Sequence, residues 1–235
     1  MPGLKADLVH RRLQPELMDD PSIDPEVHSE ALRGLARLNR ASRIVRTVRR
    51  ELDELVGSEP VSVLDVAAGS GDLVVGLAKR EAGTGTGRRY AACDISETAC
   101  SAILRRAADA GTEVAATRVD ALHDSLPEGH DVVMCHLFVH HLVADDIVLL
   151  LERMKAAARR AVLVTDLIRS PMGYRLAWLA SRMLTNSPVV HTDALRSVEG
   201  ALTPDEFRAL AERAGLGECR IHRAWPERIV LRWTR

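Results

Sequence analysis

The segment VLDVAAGSGDL, Val63 to Leu73, constrains the fold more than any other stretch of the chain. Apolar Val61, Val63, Leu64 and Val66 predict a buried strand, and the small residues that follow predict a tight turn running straight into a helix. Gly69 and Gly71 allow backbone conformations and close approaches that a Cβ would block. The free N–H groups of a helix start favour a negative ligand group. Asp65, before the turn at the strand's carboxyl end, can neutralise a cationic one. Together these features suit a ligand that carries both a carboxylate and an ammonium group.

Two ligand classes compete for such a turn. A dinucleotide site needs G-x-G-x-x-G with pyrophosphate on the helix. The frame from Gly69 reads G-S-G-D-L-V, so Val74 stands at the third glycine and Asp72 places negative charge at the pyrophosphate position. Both features count against a dinucleotide, and the next strands favour the other class, S-adenosylmethionine (SAM), whose methionine half carries the carboxylate and the ammonium. RRYAACDIS, Arg88 to Ser96, predicts a second strand ending in Asp94, about one βαβ unit after the first. An acid there can accept from both hydroxyls of a ribose. VAATRVDALHDSLP, Val114 to Pro127, supplies a third strand with Asp120 at its end, where an acid can accept from an adenine amino group. HDVVMCHLFVHHL, His130 to Leu142, supplies a fourth strand and a His-rich turn. A lone acid after a strand is usually a cap or turn residue. Three acids at three successive strand ends, after a G-S-G turn, are far more specific.

On these motifs the chain resembles the class I SAM-dependent methyltransferases. D-V-A-A-G-S-G-D is similar to the first motif of the ubiquinone/menaquinone-biosynthesis methyltransferases and their small-molecule relatives. The resemblance covers most of Val61 to Arg235. It implies an α/β fold: a doubly wound, Rossmann-like sheet, mostly parallel with an antiparallel last strand, plus an N-terminal helical cap. It implies SAM as cofactor, with Asp65, Ala67, Gly69 and Gly71 at the methionine end. Asp94 and its neighbour Ile95 then serve the ribose, and Asp120 with Ala121 flanks the adenine. Cys135, where the fourth strand meets the cofactor, is expected to pack beside it. The family's first motif often has a third glycine where this chain has Ala67.

A chain of 235 residues makes one domain with an appended cap. Residues 1–58 are expected to form an arm and cap helix, and residues 59–235 the SAM-binding domain. Asp24 followed by Pro25 signals a helix start. The helix is expected to run to about Val56, with Leu38, Val45 and Leu52, and Ala41, Val48 and Leu55, forming one apolar stripe. Leu17, Met18 and Ile23 of the arm are expected to help cover the site. The formal net charge of −1 argues against a nucleic-acid enzyme with a broad basic face. RIVRTVRR, Arg43 to Arg50, is followed at once by Glu51, Asp53 and Glu54 and reads as a solvated helix face. No run approaches the ~18 apolar residues of a membrane span. The first residues lack an apolar signal core, so the expectation is a cytoplasmic protein without integral membrane association. Cys93, Cys100, Cys135 and Cys219 contain no C-x-x-C pair and read as reduced thiols. Nothing in the sequence specifies an oligomeric state.

The acceptor side is expected in an insertion at about 171–199, beside the carboxyl ends of the fourth and fifth strands. Leu176, Leu179, Ala180 and Met183 have helical spacing, with Tyr174 and Trp178 nearby. Tyr174, Trp178 and His191 are the expected substrate contacts in a pocket for a hydrophobic or aromatic small molecule. Methyl transfer from a sulfonium needs alignment of the acceptor and, for oxygen, removal of a proton. His140, with His191 as second candidate, is expected to act as base. Asp166, at the end of the fifth strand, can orient a histidine. Metal-dependent quinone O-methyltransferases carry acid-x-x-acid-His in the turn after the fourth strand. Here Leu137 and His140 stand at the two acid positions, so no metal is expected. The favoured function is methyl transfer to a phenolic or polyketide-like hydroxyl. The alternatives are C-methylation of a quinone precursor and a methyltransferase-like binding or scaffold protein.

Overall fold

The computed structural model describes residues 7–20, 22–81 and 83–235; the first six residues of the arm lie outside them. Seven strands form one sheet: β1 (Ser62–Val66), β2 (Arg89–Asp94), β3 (Val114–Arg118), β4 (His130–His136), β5 (Ala158–Leu167), β6 (Arg220–Ala224) and β7 (Arg228–Thr234). Their order is β3-β2-β1-β4-β5-β7-β6. The first five are parallel, β7 runs antiparallel to β5, and β6 runs antiparallel to β7. The order reverses between β1 and β4. A crevice opens at such a reversal, outside the carboxyl ends of the strands.

Both faces of the sheet are covered, which explains strands that are apolar along their whole length. Leu64, Val66, Val133, Val162 and Val164 face α5 (Ala144–Ala157) and α8 (Pro204–Arg213), packing on Ile147, Leu150, Met154 and Phe207. Val63, Val132, Ala161 and Leu163 face the opposite layer of α2 (Ile44–Val56), α3 (Asp72–Glu81) and α4 (Glu97–Asp109). The start of α8 carries a capping box formed by Thr203 and Glu206, with Pro204 in its first turn.

The N-terminal helix differs from the sequence expectation. It is two helices, α1 (Pro25–Ala41) and α2, broken at Ser42 and Arg43, and Arg43 has a φ of 53°. The Ser42 hydroxyl donates to the Asn39 carbonyl at the break. The halves serve different partners. In α2, Ile44, Val48, Leu52 and Val56 are buried against the sheet layer, at a spacing of one helical turn. In α1 only Ala31 and Gly34 are buried. Gly34 lies against Thr185, whose Oγ1 would be 2.7 Å from an added Cβ. One straight helix could not meet both surfaces.

The insertion after β5 forms α6 (Pro171–Leu184) and α7 (Pro188–Gly200). With α1 they make a cap over the ends of β4 and β5. Among the described residues no helix is long and apolar enough to cross a membrane.

Candidate functional site

The turn after β1 is held open by backbone that side chains disfavour. Ala67, Gly69 and Gly71 have φ values of 55°, 54° and 79°. For Ala67 the left-handed conformation costs about 1–2 kcal/mol. A Cβ on Gly71 would lie 2.7 Å from Ile103 Cγ1, so this glycine sets the approach of α3 to α4. A Cβ on Gly69 would meet nothing within 4 Å, so that position borders open space. The Gly69 amide donates to Asp94 Oδ2 (2.8 Å), and the Ser96 amide donates to Asp94 Oδ1 (2.9 Å). Asp94 thereby ties the β1 turn to the end of β2, with Ile95 beside it 57% exposed.

Asp65 is buried, and its Oδ1 has no hydrogen-bond partner among the described residues. Burial, with the charge of Asp94 adding to it, pushes its carboxyl up to about 8. A lone buried carboxylate is costly unless a cation joins it, so this donor set fits a ligand with an ammonium group. Asp120 lies two residues beyond β3, in a turn. Its Oδ1 accepts from the Leu122 amide (2.9 Å), and His123 Nδ1 is 3.0 Å from Oδ2. The backbone hydrogen bond and the histidine hold this carboxyl below its ordinary value. Ala121 beside it is buried. Cys135 sits in the core, level with Val66 and Val164, so its thiol packs under the crevice and burial pushes it up. Asp72, at the first turn of α3, pairs with Arg106.

At the ends of β4 and β5 the polar groups are buried. Leu137 leaves β4 with a φ of 53°, and a 3-10 turn over Val139–His141 follows. His140 Nδ1 lies 2.7 Å from Asp166 Oδ1, and its amide donates to Asp166 Oδ2 (3.3 Å). Burial opposes both charges, but each partner overcomes it: Asp166 is held down to about 2 and His140 is raised to about 9. His136, by contrast, is pushed down to about 3 by burial and by Arg228, with Nδ1 2.6 Å from Thr165 Oγ1. Asp166, expected to be able to orient a histidine, thus lies in hydrogen-bond contact with His140 Nδ1.

Glu16 reaches the same place from the N-terminal arm. Its Oε1 is 3.8 Å from His140 Nε2 and 4.0 Å from His141 Nε2. The arm is fixed by long-range hydrogen bonds. Arg11 Nε donates to the Gly200 carbonyl (2.6 Å), and the amides of Leu17 and Met18 donate to the Asp193 carboxylate (2.8 and 3.0 Å). Glu16, His140 and His141 are also the one group among the described residues with metal-ligand spacing, their atoms lying within 4.8 Å of one another. A metal there would have to displace the proton on His140 Nε2, the nitrogen that faces Glu16.

Above these groups lies a cavity of about 360 Å³ between the strand ends and the cap. Gly173, Leu176, Ala177, Ala180 and Leu184 of α6 line it, with Leu35 and Leu38 of α1 and Val198 of α7. Its ionisable lining is Glu16, His140, His141, Glu227 and Arg228. The three residues expected to contact the acceptor do not line it. The lining positions of α6 recur every three or four residues, and Tyr174 and Trp178 fall off that face. Tyr174 is buried, and Trp178 lies under the Arg182 guanidinium, 4.6 Å from the ring centre. His191 Nε2 is 2.9 Å from the Thr185 carbonyl. Sequence reasoning missed Glu16 and Arg228. No local signal marks Glu16. Arg228 heads the apolar run Ile229–Leu231, the hint the sequence offers.

Residues 63–161 match the family described as a methyltransferase domain. No curated protein matches the chain in sequence. Among solved structures, the S-adenosylmethionine-dependent methyltransferase SibL superposes with a TM-score of 0.70 at 18% identity, over 97% of this chain and 64% of that one. The plantazolicin methyltransferase BpumL, solved with SAH, gives 0.67 at 16% identity, over 92% of this chain and 90% of that one. A protein of Nostoc punctiforme PCC 73102, assigned as an O-methyltransferase, gives 0.63 at 18% identity, over 92% and 63%. The chain thus spans less than two thirds of the first and third proteins and most of the second. Residues 63–161 are thus a methyltransferase domain, set in a fold that the chain shares with these methyltransferases.

Proposed function

We propose that the chain transfers the methyl group of SAM to a hydroxyl of a small hydrophobic acceptor, phenolic or polyketide-like in character. The observation that carries this reading is the buried Asp166–His140 pair at the floor of an apolar cavity, beside the reversal of strand order. An oxygen acceptor needs a proton managed at that place, and a buried Asp–His pair can manage one. The O-methyltransferase assignment of the Nostoc protein supports the reading by analogy.

SAM, when bound, supplies an electrophilic methyl on a sulfonium. Asp65 pairs with its ammonium and ionises as that cation arrives. The start of α3 favours its carboxylate, while Asp94 accepts from the ribose hydroxyls. On the acceptor side Asp166 stays ionised and keeps the proton on His140 Nδ1. His140, raised to about 9, is an imidazolium in the resting protein at neutral pH. This revises the expectation of a neutral free base. An imidazolium near 9 is matched to a phenol, which ionises near 10. Through Nε2–H it holds an acceptor that arrives as the phenolate, its proton already given to solvent, and as pH approaches 9 its free-base form takes the proton directly. The cap excludes water and aligns the oxygen with the methyl. His191, outside the cavity lining, has no part in this step.

Calorimetric titration with SAM, SAH, NAD and NADP, followed by a screen of phenols, catechols and hydroxyquinones for methyl transfer, tests the reading. Binding of the first two ligands and O-methylation of a phenol are expected. Dinucleotide binding without SAM binding would contradict it.

A further inference from the structure

The cavity wall contains a cation to which no carboxylate among the described residues is bonded. Arg228 opens β7 and lines the cavity, yet it is only 7% exposed. Its Nε and Nη1 have no hydrogen-bond partner among the described residues. The charged groups around it are accounted for elsewhere. Asp166, the one carboxylate acting on it, is committed to His140. The adjacent Glu227 accepts from Ser170 Oγ (2.6 Å). His136, which feels the Arg228 charge, is neutral and offers a buried Nε2 without a partner of its own. A buried guanidinium without a counter-charge is among the costlier groups a fold can hold. Its position is not accidental: backbone pairing with Leu167 on β5 and Ala224 on β6 fixes Arg228 from both sides.

We propose that Arg228 is the anion-recognising residue of the acceptor pocket, and that the acceptor carries a carboxylate as well as the hydroxyl it methylates. The inference rests on the reading of this cavity as the acceptor site and narrows it from phenols in general to aromatic or polyketide-like hydroxy acids. A planar guanidinium fork matches a carboxylate with two parallel hydrogen bonds. Glu16 opposes the charge of His140 where it faces that ring, which leaves Arg228 as the cation of the cavity lining with no carboxylate bonded to it. The apolar walls of α1 and α6 hold the body of the molecule between them.

The test uses two probes, an ortho-hydroxybenzoate carrying a pentyl chain and the pentylphenol that lacks only the carboxylate. Their affinities for the SAH-loaded protein are measured by calorimetry. The wild-type protein should prefer the carboxylate by about tenfold to a hundredfold, the range for hydrogen bonds to charged groups. Arg228→Gln should abolish that preference while leaving affinity for the pentylphenol and for SAH unchanged. Arg228→Lys should restore part of it. In the ligand-free protein, Arg228→Met should raise the melting temperature, because it removes an unbalanced buried charge; a fall would reveal a structural role and overturn the proposal. Equal affinity of the two probes for the wild type, or a preference that survives in Arg228→Gln, overturns this inference alone. Failure of both probes while SAH binds overturns the acceptor-site reading with it.

Discussion

At the ends of β2 and β3 the carboxylates are half-buried and tied to backbone turns, whereas at the ends of β4 and β5 the polar groups lie beneath three helices. Asp94, the last residue of β2, accepts from the Gly69 amide, and Asp120 accepts from the Leu122 amide. Glu16, His140 and Arg228 come from three separated parts of the chain and line one cavity, with Asp166 bonded to His140. The first region binds a ligand whose chemistry is fixed, so a contiguous backbone pattern suffices. The second must shape itself to one acceptor, and its polar groups act in a dry setting where each charge is strengthened by its partner. Both regions store strain at the same topological point. Ala67 after β1 and Leu137 after β4 adopt left-handed backbone without being glycine.

If the regions are separable, variants in one should spare the other. The largest effect is expected from His140→Gln, which should lower turnover by about 10²–10⁴ with SAM affinity nearly unchanged. His191→Gln should leave turnover intact, in line with its place outside the cavity lining. Methyl transfer to an accepted phenol, followed with labelled SAM, checks both. Full activity of His140→Gln would leave positioning alone as the mechanism. Next, Asp94→Ala should weaken SAM binding by about tenfold to a few hundredfold, without altering acceptor affinity. Unchanged SAM affinity in the folded variant would show that Asp94 does not hold the ribose.

The pH dependence of stability separates the regions by sign. The Asp65 carboxyl is raised to about 8 in the fold, against about 3.9 unfolded. The folded protein therefore holds the extra proton, and stability falls as pH rises between those values. Asp65→Asn should flatten that fall in urea unfolding of the SAM-free protein. The second region behaves oppositely at its acid. Asp166, held down to about 2, stabilises above about pH 4, and this is lost as pH falls toward 2. His140, raised to about 9, stabilises below its unfolded value near 6.5, and this is lost as pH rises through 9. A smaller effect is expected from Ala67→Gly, which should stabilise by up to about 1 kcal/mol by relieving left-handed backbone. Chelators should leave turnover unchanged, because His140 holds a proton where a metal would need a lone pair.

The same contrast explains what the sequence disclosed. The sheet, its antiparallel end and the β1 turn were legible because strands covered on both faces stay apolar and the glycine turn is contiguous. The break at Ser42 and Arg43 was not, because the apolar stripe of α1 and α2 continues through it while their packing partners change. Asp166 was legible as a strand-end acid. Glu16 was not, since only the folded arm brings it to His140 across more than a hundred residues. Tyr174 and Trp178 misled because an aromatic in a cap helix has two faces to choose from, and small residues such as Gly173, Ala177 and Ala180 line the cavity instead.

The most direct test is the fate of the methyl group. SAM carrying an isotope-labelled methyl, turned over with an accepted hydroxylated aromatic, yields a product whose labelled carbon is located by nuclear magnetic resonance. The account predicts an O-methyl signal whose rate of formation rises with pH toward 9, the value to which Asp166 raises His140. A label on ring carbon, or a rate indifferent both to pH and to His140→Gln, would contradict it.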